Sequence, residues 1–470
     1  MLPTLDALGD STRHVAEPSF ANTGALHPLN LVQFVAPYLF QARVVGQNTH
    51  ELGLYSGAVP FLLCVWLLTQ RGRWGRFAPL VWAALALGGA ALLLALGEAG
   101  GLYRVQQLLP VVNRFRFPCR AIVLVQLALA TGAATAFGIL WQQHDDRMPN
   151  SYRRSDRALL IVLAVSIALA AFGPMVWSDY VADNALVWAG PALIGIGVAL
   201  IALAQRQVRG AMIALALFTA VDLSTYGLSY SVWQRTSDLQ EFAASAPRPP
   251  GEPHTRVVAE EVDGLRTGNR MLLAGIARVD GYAGLEPAKR LDYSTCPARQ
   301  RAGVNYVFVP ESRTANTPAR WEAISATAPR ARLVTRTETF QQVFNRPFDL
   351  GLVATEPPLS LAADGPGTVR VTADSPGHLA VDCVEASRQL LVTTESFHRG
   401  WVARVDGRVV PVVRVDGDFL GCVVEPGDHL VELQFHPRSL LLGRFVSLGG
   451  LGLLLCAFAL AARRRPQRRA

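Results

Sequence analysis

The chain has 470 residues, 51% of them hydrophobic, and a mean hydropathy of +0.26. That is too apolar for an ordinary soluble protein, and the excess is gathered in blocks. The formal net charge of +8 does not signal nucleic-acid binding, because many of the arginines cluster beside those apolar blocks, where they set membrane orientation.

Charge-free runs occupy 52–70, 77–97, 121–144, 158–178, 184–205 and 445–462, and the run 210–234 is broken only by Asp222. Each is about 18 residues or more, enough to cross the hydrocarbon core as a helix. Seven transmembrane helices are expected. With the basic tail from Arg463 to Arg469 in the cytoplasm, Arg71, Arg73 and Arg76, then Arg147, Arg153, Arg154 and Arg157, then Arg206 and Arg209 all fall inside. The loop 179–183 and the polar region 235–438 fall outside. The external loop 98–120 breaks the rule, with Arg104, Arg114, Arg116 and Arg120, which suggests another task for these arginines.

Residues 1–51 mix turn formers with two short apolar patches, 29–35 and 38–40, punctuated by Pro28 and Pro37. This reads as an extracytoplasmic segment with one or two short interfacial helices. His14, His27 and His50 match no metal-ligand spacing. Residues 1–10 form neither a signal peptide nor a span, so the chain reads as the C-terminal portion of a longer membrane protein. Residues 52–234 then form a six-helix membrane region. Its small residues, among them Gly88, Gly132, Gly190 and Gly197, let helices approach closely. Asp222 is an ionisable residue within a span, and such a carboxylate faces either a polar cavity or a hydrogen-bonding partner.

A proline-rich linker at 246–253 opens the region 235–345, read as linker plus small α/β subdomain. The run 304–309 is its clearest buried strand, whereas 312–332 reads as helix or loop. Residues 346–438 alternate apolar and polar residues, with Asp406-Gly407 and Asp416-Gly417 as hairpin turns. A β-sandwich is expected there, followed by a last span and basic tail over 439–470. The fold class is thus an α-helical polytopic membrane protein with an extracytoplasmic α/β plus β-sandwich domain.

Of six cysteines, Cys383 and Cys422 lie in strands of the sandwich, where either a disulfide or two buried thiols fits. No zinc ligand set, phosphate-cradling glycine loop, nucleophile elbow or catalytic Cys/His pairing is present. No metal or cofactor is assigned, and no catalytic residue is named.

Several motifs in this order resemble the bacterial YfhO-type membrane protein family. They are Leu2-Pro-Thr-Leu5 with Ser11 and Arg13, His27-Pro28-Leu29-Asn30, and Glu51-x-x-x-Tyr55-x-Gly57. Arg114-Phe115-Arg116-Phe117-Pro118-x-Arg120, Gly281-Tyr282, Ser396-Phe-His-Arg-Gly400-Trp401 through Asp406-Gly407, and Pro426-Gly427-Asp428-His429 follow. The resemblance implies a GT-C-like glycosyltransferase of the bacterial cytoplasmic membrane. Such an enzyme moves a sugar from a polyprenyl-phosphate carrier to an envelope polymer outside the membrane, and the implied catalytic aspartate lies upstream of Met1. The implied partners are membrane lipid, the polyprenyl-phosphate-linked sugar and the polymer acceptor. The alternative is a non-catalytic envelope protein that binds or assembles glycan.

Glycosyl transfer from a lipid phosphate needs cations to stabilise the departing phosphate. Arginine suits this because its planar fork pairs with two phosphate oxygens. Arg116 and Arg120, then Arg114 and Arg104, are the candidate donor-phosphate ligands, with Asp222 as the intramembrane polar residue.

Overall fold

The structure is a computed structural model. It describes residues 2–463 apart from 16–21, 47–50, 110–111, 115, 147–152, 182–184, 231–235, 252–254, 260–266, 281–284, 312–316, 345, 363–364 and 366. The chain divides into two compact units, one of Ala16–Trp233 and one of Met1–Val15 with Gln234–Ala470. Residues 1–51 therefore do not form one segment: the first 15 fold with the β-rich unit.

Among the described residues six helices are long and apolar enough to cross a membrane. Five lie in the first unit: Gly75–Ala95, Pro118–Gln143, Ser155–Val176, Ala185–Gln205 and Ala211–Leu228. The sixth, Arg438–Leu460, belongs to the second. The seventh expected span is different. Its run 52–70 becomes helical only over Ala58–Thr69, 12 residues, which extends about 18 Å against the roughly 30 Å of a hydrocarbon core.

The reason is a polar clamp. Asn30 and Gln33, both fully buried on the 3₁₀ helix Pro28–Phe34, bond to extended backbone. Asn30 Nδ2 donates to Val45 O and its Oδ1 accepts from Val45 N, each at 2.8 Å. Gln33 Oε1 accepts from Leu54 N at 3.0 Å and its Nε2 donates to Leu52 O at 3.2 Å. Side chains thus satisfy backbone groups that a helix would have paired with itself, as non-helical backbone among membrane helices requires. Pro28–Phe34 is accordingly an internal brace of its unit, where sequence reading placed a surface helix.

The short helix Ala58–Thr69 is buried along its length through Val59, Leu62, Leu63, Trp66 and Leu67. It packs against the helices that follow Pro118, Arg153, Ala189 and Ala211. Small residues permit this: a Cβ on Gly197 would lie 2.7 Å from Leu62 Cδ1, and one on Gly190 would lie 2.8 Å from Ala36 Cα.

In the second unit, β1 (Arg256–Ala259) pairs in parallel with β2 (Ala277–Arg278) and β3 (Tyr306–Val309), and β3 pairs antiparallel with β4 (Arg320–Ala323). Helices Thr267–Leu273 and Cys296–Arg301 belong to this α/β region. The strand β4 lies within 312–332, which the sequence read as helix or loop. β5 (Ala331–Val334) leaves this subdomain and joins the sandwich, so the expected boundary at 345 falls too late. A small parallel pair, β6 (Arg336–Glu338) and β7 (Leu352–Ala354), follows.

The sandwich strands are β8 (Thr368–Ser375), β9 (His378–Glu385), β10 (Gln389–Ser396), β11 (Trp401–Val405), β12 (Arg408–Val410), β13 (Val412–Val415), β14 (Phe419–Val424) and β15 (Gly427–Phe435). One sheet has the order β13-β14-β10-β5 and the other β12-β11-β15-β9-β8. Leu333, Leu391 and Leu420 from the first meet Val381, Ala403 and Leu433 from the second in one core. Pro411 separates β12 from β13 and sends the chain from one sheet to the other, because proline has no N–H for the ladder. Both Asp-Gly turns have positive φ at each residue: 48° and 78° at 406–407, and 49° and 85° at 416–417. These are the primed-turn dihedrals that match strand twist.

The second turn also ties the subdomain to the sandwich. Asp416, fully buried, accepts from Ala354 N at 2.8 Å and faces Arg301 and Arg332 at 3.7 and 3.6 Å.

Candidate functional site

The arginine-rich stretch enters the span Pro118–Gln143 through Phe117, whose φ of 66° places it in the left-handed region. A phenylalanine adopts that conformation only where surroundings hold it. Here Phe117 N donates to Thr23 O at 2.7 Å, and the ring lies so close to Gly24 that a Cβ there would sit 2.0 Å from Phe117 Cδ1. Gly24, with φ of 76°, leaves the space.

The locked ring collects two cations. The Arg116 guanidinium carbon is 4.7 Å from the Phe117 centroid and that of Arg120 is 4.9 Å. Each such contact is worth about 0.5–1 kcal/mol at an exposed site. Arg120 also donates to Glu51 Oε1 from Nη2 at 2.8 Å and from Nε at 3.1 Å, with its side chain 63% exposed. Glu51 Oε2 is buried and accepts no hydrogen bond. Of the four sequence candidates, Arg116 and Arg120 are thus brought together. Arg114 is half-buried at the end of the 3₁₀ turn Val112–Arg114, and Arg104 is exposed on the separate helix Tyr103–Leu108.

Glu51 was absent from the sequence candidates as a site residue. Its legible signals were a carboxylate at the mouth of an apolar run and its place in the Glu51-x-x-x-Tyr55-x-Gly57 motif. Its pairing with Arg120, 69 residues away, is a tertiary contact that spacing does not encode.

Asp222 is 4% exposed. Its carboxylate accepts from Tyr55 Oη at 2.7 and 2.8 Å and from Ala58 N at 2.9 Å. It therefore caps the half-length helix Ala58–Thr69 from a neighbouring helix, a structural partner for an intramembrane carboxylate.

Cys383 and Cys422 are both free and fully buried in the sandwich core, so the disulfide reading gives way to two packed thiols. Burial pushes each thiol up to about 12, which keeps both protonated and inert. Among the described residues no group of three or more His, Cys, Asp or Glu side chains is arranged to hold a metal. Gly281 and Tyr282, part of the resemblance, lie outside the described residues, as do Arg147, Arg464 and the rest of the basic tail.

Six apolar helices among the described residues and a region of several sheets define a polytopic helical membrane protein with a β domain. Residues 366–447 match the family described as Bacterial membrane protein YfhO. The match runs across the strands from β8 to β15 and into the last span, and includes the Gly400-Trp401 and Asp406-Gly407 elements. Comparison with curated proteins and with solved structures gave no match.

Proposed function

We propose that this chain works in a membrane glycosyltransferase that moves a sugar from a polyprenyl-phosphate donor to a cell-envelope polymer outside the membrane. Its Arg116 and Arg120 bind the donor phosphate. The observation that carries this reading is the pair of guanidinium groups fixed on one aromatic ring at the mouth of a span. Two guanidinium groups sharing one ring favour an anion beside them, and Phe117 offers apolar surface to the first isoprene units. Glu51 holds Arg120 in place until a phosphate competes for its fork. The sidedness of the arginines supports the same reading, since they depart from the orientation rule followed by the other basic loops.

The test is transfer of labelled sugar from a polyprenyl-phosphate donor in membranes containing the protein. Arg116→Ala and Arg120→Ala are each expected to lower transfer by roughly 100-fold, the scale for removing one preorganised donor to a developing anion, with protein amount in the membrane unchanged. Undiminished transfer in both variants would remove the phosphate site, and transfer that is the same with and without the protein would favour the non-catalytic glycan-binding alternative.

A further inference from the structure

The β-rich unit contains a cleft of about 300 Å³ that the arginine site does not use. It joins two of the motifs noted in the sequence, nearly 400 residues apart. Ala7 and Asp10 come from the N-terminal segment, Glu395 and Phe397 from the end of β10 and the turn after it, and Trp401 and Phe435 from the paired strands β11 and β15.

The N-terminal segment forms a strap across the unit. Thr12 N donates to Glu286 O at 2.8 Å and Ala288 N to Asp10 O at 2.9 Å. Asp6 accepts from Ser439 Oγ at 2.7 Å, at the first turn of the last span. His436 N donates to Gly400 O at 2.8 Å, and a Cβ on Gly400 would lie 2.9 Å from Pro437 Cα. The cleft therefore sits at the end of the sandwich where the chain turns into that span.

Its lining combines aromatic and acidic groups. Trp401 and Phe435 have centroids 5.4 Å apart at 53°, and His398 meets Phe435 edge-on at 5.4 Å. Phe435 remains 39% exposed. Trp401 Nε1 is satisfied by Ser396 O at 3.1 Å. The carboxylates are fixed by guanidinium groups: Asp10 faces Arg414 at 3.5 Å and Arg399 at 3.6 Å, and Glu395 pairs with Arg330. Asp10 Oδ2 still accepts no hydrogen bond.

An angled aromatic wall with rigid carboxylates at its rim is complementary to one ligand chemistry. A pyranose ring has an apolar C–H face for the aromatic surface and equatorial hydroxyls that donate to carboxylates. Each carboxylate is already matched by an arginine, so a charged ligand gains little and a neutral one is preferred. A lipid chain would offer no donor to Asp10 Oδ2, and leaving that atom buried without a hydrogen bond costs about 1–3 kcal/mol. The volume is at the low end of ligand pockets, about 300–1,000 Å³, and suits one or two sugar rings.

We infer that this cleft binds a neutral pyranose unit of an oligosaccharide, close to where the last span begins. The experiment uses the full chain in detergent and three probes: cellotetraose, maltotetraose and chitotetraose, read by saturation-transfer NMR and tryptophan fluorescence. At least one probe is expected to bind. Phe435→Ala and Asp10→Asn should each weaken it about tenfold, and Ala7→Phe, which fills the cleft, should abolish it, with melting temperatures unchanged. Arg116→Ala should bind as wild type does, so this site and the phosphate site fail or stand separately. Absence of binding by all three probes, or equal binding by folded Ala7→Phe and Phe435→Ala variants, would overturn the inference.

Discussion

Asp418 shows how a single carboxyl records its surroundings. It is 2% exposed, just after the Asp416-Gly417 turn, and accepts from Ser396 Oγ at 3.3 Å. Burial pushes its pKa up to about 6, and the Ser396 hydroxyl, Arg414 and Arg290 oppose that only in part. The unfolded carboxyl titrates near 4. Between about pH 4 and 6 the folded chain therefore binds the extra proton, so stability falls as pH rises through that window and levels off above it. Asp418→Asn stays neutral throughout. Thermal unfolding across a pH series should find it more stable than wild type at pH 7.5, by up to about 3 kcal/mol, with the gap closing toward pH 4. A difference that does not vary with pH would contradict the assignment.

At the scale of elements, the half-length helix Ala58–Thr69 depends on Asp222. Two donors converge on that carboxylate, the Tyr55 hydroxyl shared between its oxygens and the helix's own first N–H. Asp222→Ala should destabilise the protein by about 3 kcal/mol, and Tyr55→Phe by about 1 kcal/mol, in line with hydrogen bonds to a charged and from a neutral group. Unfolding in detergent measures both; equal, negligible effects would sever the cap from stability. The sequence made this helix legible as an apolar run but not as a short one. Hydropathy counts apolar residues alike whether extended or helical, and the Asn30 and Gln33 clamp is a tertiary arrangement with no local signature. Turns behave oppositely: Asp406-Gly407 and Asp416-Gly417 carry their geometry in two adjacent residues, and the strands on either side were readable for that reason. Pro411 was present as a signal for a sheet change, but which sheet each half joins depends on partners far away. The arginines of the candidate site were likewise readable as a cluster, whereas Phe117's left-handed backbone and the Glu51 contact emerge only when residues 22–24 and 51 fold beside it.

For the whole molecule, the arrangement of basic residues carries a consequence for sidedness. The helix Ala58–Thr69 is short, yet Arg71–Arg73 still turns the chain into Gly75–Ala95, so its arginines remain at the end shared with the loop at Arg206 and Arg209. Short arginine-bearing loops stay in the cytoplasm because translocating guanidinium groups is unfavourable. By that count the strands β1 to β15, which precede the last span, are expected on the opposite side from those loops. Cys296 offers a native probe, since it is exposed at the start of the helix Cys296–Arg301, while Cys119, Cys383 and Cys422 are buried. Cys456 is exposed only on the apolar span Arg438–Leu460, where a water-soluble reagent does not reach it in a bilayer. A membrane-impermeant maleimide applied to intact cells should therefore label the wild-type chain at Cys296, and Cys296→Ser should remove the label. If labelling appears only after permeabilisation, the β domain is cytoplasmic, and sugar transfer outside the membrane becomes untenable.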